Sequence, residues 1–88
     1  MLPNLRCVIK EKRFESELKR IKTNPRRADD FVEGPEWVLS RDPEQGTQVE
    51  EDPPVWFLGI EDDSSHLTAA IYYTFDENHV WLLSIRTI

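Results

Sequence analysis

The C-terminal segment, Val55 to Ile88, is the part that most limits what this chain can fold into. Three runs there, Val55-Trp56-Phe57-Leu58-Gly59-Ile60, Leu67-Thr68-Ala69-Ala70-Ile71-Tyr72-Tyr73-Thr74-Phe75 and His79-Val80-Trp81-Leu82-Leu83-Ser84-Ile85-Arg86-Thr87-Ile88, are rich in β-branched and aromatic residues. Turn formers separate them: the acidic tip Glu61-Asp62-Asp63 in the first gap and Asp76-Glu77-Asn78 in the second. Residues of this kind suit a pleated, half-buried surface, and runs so bounded read as strands. The spacing predicts a three-strand antiparallel meander. Its apolar face must be covered, and the upstream chain has to supply the cover. With 88 residues the chain has room for one domain, 1–88.

Upstream, Leu5, Cys7 and Ile9 alternate with Arg6, Val8 and Lys10, the pattern of a half-buried strand. Phe14, Leu18 and Ile21 then fall at i, i+4 and i+7, which predicts an amphipathic helix over 11–22. Asn24-Pro25 reads as an N-cap and first residue of a second helix ending near Arg41, with Ala28, Phe31, Pro35 and Val38 as its stripe and Val32 and Leu39 widening it. Gly34-Pro35 interrupts it and predicts a kink or two short helices. Residues 43–54, with three prolines, one glycine and no apolar period, read as a loop. The sum is an α+β fold, two helices packed on one face of a four-strand, mainly antiparallel sheet.

Alternation also assigns faces. Leu67, Ala69, Ile71, Tyr73 and Phe75 are expected beneath the helices. In the last strand Trp81, Leu83 and Ile85 oppose Val80, Leu82, Ser84 and Arg86, and Arg86 is expected on the open face. The chemistry on offer is sparse. Gly34, Gly46 and Gly59 are too scattered for a phosphate loop, and His66 and His79 read as turn histidines. The lone Cys7 forms no internal disulfide and no cysteine-built zinc site. What remains is Arg86, Arg6, Lys10 and Tyr72, which meet on the open face if the first strand lies beside the last. Such a group holds a phosphate and stabilises developing charge, or simply lays its stems over apolar surface.

Charge is unevenly spread. Residues 1–41 carry ten Lys/Arg and seven Asp/Glu, a net +3, whereas residues 42–88 carry one Lys/Arg and ten Asp/Glu, a net −9; together they give −6. An acidic chain is a poor generic ligand for nucleic acid and suits a basic protein partner better. No run of apolar residues is long enough to span a membrane, and Met1-Leu2-Pro3-Asn4 has no signal-peptide core, which points to the cytoplasm.

Phe14-Glu15-Ser16-Glu17-Leu18-Lys19-Arg20-Ile21 resembles the first helix of the RelE/ParE toxin superfamily. Trp37-Val38-Leu39-Ser40-Arg41-Asp42-Pro43-Glu44-Gln45-Gly46 resembles its second helix, which ends in a Leu-x-x-Asp-Pro-x-x-Gly turn. Ile71 to Asp76 and Val80 to Arg86 resemble its last two strands. The resemblance covers nearly the whole chain. It implies sheet order 1-4-3-2 and the toxin component of a bacterial type II toxin–antitoxin system, associated with growth inhibition and plasmid stabilisation, that works without metal or other cofactor. The implied partners are a cognate antitoxin and either DNA gyrase, for ParE-like members, or the ribosome and mRNA, for RelE-like endonucleases. Where the endonucleases carry a catalytic Arg, three positions before the family's Tyr, this chain has Ala70 ahead of Tyr73. The His or Tyr that follows their last strand has no counterpart through Ile88, and only Arg86 matches a family basic residue. The expectation is a toxin acting through protein binding, with a degenerate ribonuclease site. The alternatives are an active ribosome-dependent mRNA endonuclease using Arg86 with Arg6 or Tyr72, and a non-toxic protein-binding module on the same fold.

Overall fold

The structure, a computed structural model, describes residues 5–62 and 66–88. Met1 to Asn4, and Asp63 of the acidic tip, lie outside the described residues. In chain order the elements are β1 (Cys7–Lys10), α1 (Lys12–Ile21), α2 (Pro25–Arg41), a 3-10 turn (Pro43–Gln45), β2 (Thr47–Glu51), β3 (Pro54–Asp62), β4 (Leu67–Phe75) and β5 (His79–Thr87). The class is α+β, with two helices and one mixed sheet in the order β1-β5-β4-β3-β2. β1 runs parallel to β5, and the other three pairs are antiparallel.

The sheet has five strands where four were expected. The additional one, β2, lies within the stretch that reads as a loop. All five of its residues are exposed, so burial imposes no alternation on the sequence Thr-Gln-Val-Glu-Glu. Backbone pairing to β3 makes it a strand, with an irregularity between Gln48 and Glu50 that leaves Val49 unpaired.

The core lies between the helices and one face of the sheet. Phe14 and Leu18 of α1 and Ala28, Val32 and Leu39 of α2 meet Ala69, Ile71 and Tyr73 of β4 and Val80, Leu82 and Ile85 of β5. Full burial of a side chain the size of Phe14 or Ile71 contributes about 1.5–3 kcal/mol, so a handful of such residues dominates a domain this small. The side chain of Asn24 caps α2 by accepting from the Arg26 and Arg27 amides at 3.0 and 3.3 Å, and Pro25 takes the first turn, where its missing N–H costs nothing. α2 is one 17-residue helix through Pro35, not a pair of short ones. Pro35 forfeits the bond to the Phe31 carbonyl, but Ala28 and Val32 before it and Leu39 after it are buried on one stripe, and that burial outweighs the missing bond.

β5 departs from simple alternation. Ile71 pairs with Ile85 and Tyr72 with Ser84, but Tyr73 pairs with Leu82 and Phe75 with Val80. Leu83 is therefore an extra residue, a bulge that reverses the phase of the strand. Val80 and Leu82 are buried with Ile85, rather than opposing it as alternation predicts. Arg86 pairs with Ala70, which stands on the face opposite Ile71, so its expected place on the open face holds.

β1 is turned over relative to the expectation. Val8 packs against the core, Cys7 is exposed, and Ile9 pairs with Trp81. The polar-looking side of the strand faces the helices because β1 is the margin of the sheet, where a long cationic side chain reaches water or a carboxylate while its stem covers apolar surface.

Buried Tyr73 ties the helix layer to the sheet edge. Its hydroxyl donates to the Pro43 carbonyl at 2.5 Å and accepts from the Gly46 amide at 3.2 Å. Burial, the largest cause, and the nearby Asp42 carboxylate push this phenol above its ordinary pKa, against a smaller opposite effect of the Gly46 amide. A Cβ on Gly46 would collide with the Phe57 carbonyl and the Tyr73 hydroxyl. The Asp42-Pro43-Glu44-Gln45-Gly46 turn is thus set by one hydroxyl and one missing methyl. Tyr73→Phe is expected to lower stability by about 1–3 kcal/mol, the cost of leaving buried polar groups unpaired, and Gly46→Ala by at least as much, read from urea unfolding midpoints. Wild-type midpoints for both variants would contradict this account of the turn.

Candidate functional site

The face opposite the helices is assembled from alternate residues of four strands. Cross-strand pairing sets Phe57 beside Tyr72, Thr74 beside Trp81, Trp81 beside Ile9, and Gly59 and Arg86 on either side of Ala70. The Phe57 and Tyr72 rings are 6.3 Å apart, and His79 stacks on Trp81 at 5.2 Å. Ile9, Phe57, Tyr72, Thr74, His79 and Trp81 are each half-buried by their neighbours alone. Aromatic side chains held side by side on strands lose little rotamer freedom when a partner covers them, which favours binding.

The basic candidates do not gather on this face. Arg6 donates from Nε to the Asp76 carbonyl at 2.7 Å, and its guanidinium lies 5.7 Å over the ring of Phe75. Phe75 packs against the core and stacks on Tyr73 at 6.3 Å, which places Arg6 at the margin of the helix side. Lys10, on the same side of β1, reaches Glu36 of α2 at 3.3 Å. Tyr72 and Arg86 are left on the open face, with Tyr72 opposite Ser84 and Arg86 two residues further along β5. β1 lies beside β5 as expected, but Arg6 and Lys10 stand on its helix side rather than on the open face, so the four candidates fall into two pairs on opposite faces.

Arg86 is itself engaged. Its Nε lies 4.0 Å from Oε2 of Glu17, whose other oxygen accepts from the Ser84 hydroxyl at 2.6 Å and the Ile85 amide at 3.4 Å, with Arg13 Nε at 3.7 Å. β1 pairs with β5 only as far as Leu82, and α1 begins just beyond it, so Glu17 serves the stretch of β5 edge that β1 leaves uncovered. The Ser84 hydrogen bond is the main reason that the Glu17 carboxyl stays below its ordinary pKa, with the Ile85 amide, Arg13 and Arg86 adding to it against a smaller cost of burial. Glu17 went unnoticed in the sequence because a glutamate on the polar side of an amphipathic helix carries no signal of its strand partner.

Asp76 performs a similar service at the β4–β5 turn, accepting from the Asn78 and His79 amides at 2.8 and 2.7 Å, with the His79 ring at 3.3 Å. The Asn78 amide leads the causes that hold its carboxyl below the ordinary range. On the helix side Trp37 is 58% exposed with the Arg41 guanidinium 3.8 Å above its ring, an apolar surface that lies away from the sheet's open face. Among the described residues no three His, Cys, Asp or Glu side chains come together as metal ligands, and no helix is long and apolar enough to cross a membrane.

Comparison with protein-family models, with curated proteins and with solved structures returns no match. The geometry defines a class, an α+β domain with one covered and one open sheet face.

Glu17 and Asp76 make a signed prediction. Both carboxyls bind protons less readily in the folded chain than in the unfolded one, so their contribution is present above the ordinary carboxylate range and is lost as pH falls through it. Urea midpoints are expected to drop between about pH 6 and about pH 3, and Glu17→Gln is expected to flatten part of that slope. An identical slope in the variant would remove Glu17 from the account.

Proposed function

We propose that this chain is the toxin component of a bacterial type II toxin–antitoxin system, of the RelE/ParE kind, acting in the cytoplasm by gripping a protein rather than by cutting RNA. The observation that carries the choice is the division of its side chains. Aromatic and apolar groups (Phe57, Tyr72, Trp81 and Ile9) share the open face, while Arg6 and Lys10 are spent on the helix side and Arg86 is held beside Glu17. A phosphate-cleaving site needs several charge-stabilising donors aimed at one point, and RNA binding needs net positive charge, whereas this chain carries −6.

The RelE-like part of the reading draws support from the helix pair that follows the first strand, from β1, β5, β4 and β3 lying side by side in that order, and from Tyr73 fastening the Asp-Pro-x-x-Gly turn. The added edge strand β2 departs from the four-strand pattern. A gyrase-like protein and a cognate antitoxin are the partners this reading implies.

Inducible expression of the chain alone in bacteria is the test. Growth is expected to slow, a small protein encoded beside it is expected to restore growth, Arg86→Ala is expected to keep the effect, and paired Phe57→Ser and Tyr72→Ser substitutions are expected to abolish it while the chain stays folded. Loss of the effect in Arg86→Ala, with cleaved mRNA in wild type, would favour the endonuclease. No growth effect under any condition would favour a non-toxic binding module.

A further inference from the structure

We infer that the outer edge of β2 is a docking edge for an extended cationic segment of a partner protein, which joins the sheet as its next strand. This surface is separate from the open face, and the inference goes beyond the reading above without depending on it.

β2 is the outermost strand of the sheet, and its inner edge is taken by β3. Among the described residues none of Thr47–Glu51 makes a backbone hydrogen bond outside that pairing. The one further bond on the strand is local, from the Gln48 side-chain amide to the Glu50 carbonyl at 3.0 Å. The edge is therefore open to a partner that brings its own donors and acceptors, as in strand addition. Val49, the extra residue of the irregularity, is 46% exposed and offers an apolar contact in the middle of the edge.

Charge selects the occupant. Glu50, Glu51 and Asp52 stand on the strand and at its end, Glu44 precedes it, and no Lys or Arg occurs between Arg41 and Arg86. A second copy of this chain would bring its own Glu50 and Glu51 into the same two-stranded ribbon, with no cation from either β2 to offset them. Charged residues on an edge strand are a standard defence against such self-pairing. The same charges that repel a second copy attract a strand carrying Lys or Arg, and they repel a nucleic acid backbone.

The probe is a short synthetic peptide alternating lysine and valine, added to the full chain and followed by amide signals in proton–nitrogen correlation spectra. Saturable shifts centred on Thr47–Glu51 are expected. The same peptide with alternate amides N-methylated keeps its charge but loses donors, and it is expected to bind about tenfold more weakly or worse. The E50K/E51K variant, altered only at exposed positions, is expected to weaken the lysine peptide by about tenfold and to bind a glutamate–valine peptide instead. Equal binding of the parent and N-methylated peptides would overturn the inference, because it would leave only diffuse attraction. So would shifts centred elsewhere, an E50K/E51K variant that binds like wild type, or self-association through β2 on concentration. The growth assay does not read this edge, so either result leaves the toxin reading where it stands.

Discussion

The single extra residue at Leu83 decides how the two sides of the sheet differ. Without it, strict alternation along β5 would put Val80 and Leu82 on one face and Ile85 on the other, and some of these large apolar side chains would face solvent. The bulge lets all three pack beneath α1 and α2 against Ile71 and Tyr73, and it still turns Arg86 to the other face opposite Ala70. A bulge costs ladder hydrogen bonds locally, but that cost is small beside burial of three aliphatic side chains at about 1.5–3 kcal/mol each.

The consequence is a molecule that separates Arg6 and Lys10, on the helix side, from Phe57, Tyr72 and Trp81, on the open face. Arg6 and Lys10 are taken up by Asp76 and Glu36, and Arg86 by Glu17. Glu17 at the β5 edge, Asp76 at the β4–β5 turn and Tyr73 at the Pro43–Gly46 turn each satisfy backbone groups where strands or helices end. Each of these polar groups is spent on the fold at its own position. The open face carries Phe57, Tyr72 and Trp81 side by side, and that placement is the physical basis for the proposal that the chain binds a protein.

Much of this architecture is legible from residues. The meander, the first helix and the Asn24-Pro25 start of the second carry strong local signals, and the structure follows them. Three features are not legible, each for its own reason. β2 is exposed on every residue, so no hydrophobic period marks it. The phase break at Leu83 is hidden because Trp81-Leu82-Leu83 is apolar at every position and fits either phase. The orientation of β1 misleads because Val8 looks minor beside Leu5 and Ile9, whereas at a sheet margin Arg6 and Lys10 sit on the covered side without being buried. That last error decided the candidate site, since it separates Arg6 and Lys10 from Tyr72 and Arg86. Pro35 shows the same limit: its local cost is real, and burial of Ala28, Val32 and Leu39 overrides it.

The most direct check is the cross-strand pattern of proton–proton contacts between β4 and β5 in solution. The account predicts backbone contacts that pair Tyr72 with Ser84 and Tyr73 with Leu82, with Leu83 paired to neither. An unbroken ladder, in which Tyr73 pairs with Leu83 and each later residue follows one for one, would contradict it and would undo the assignment of both faces.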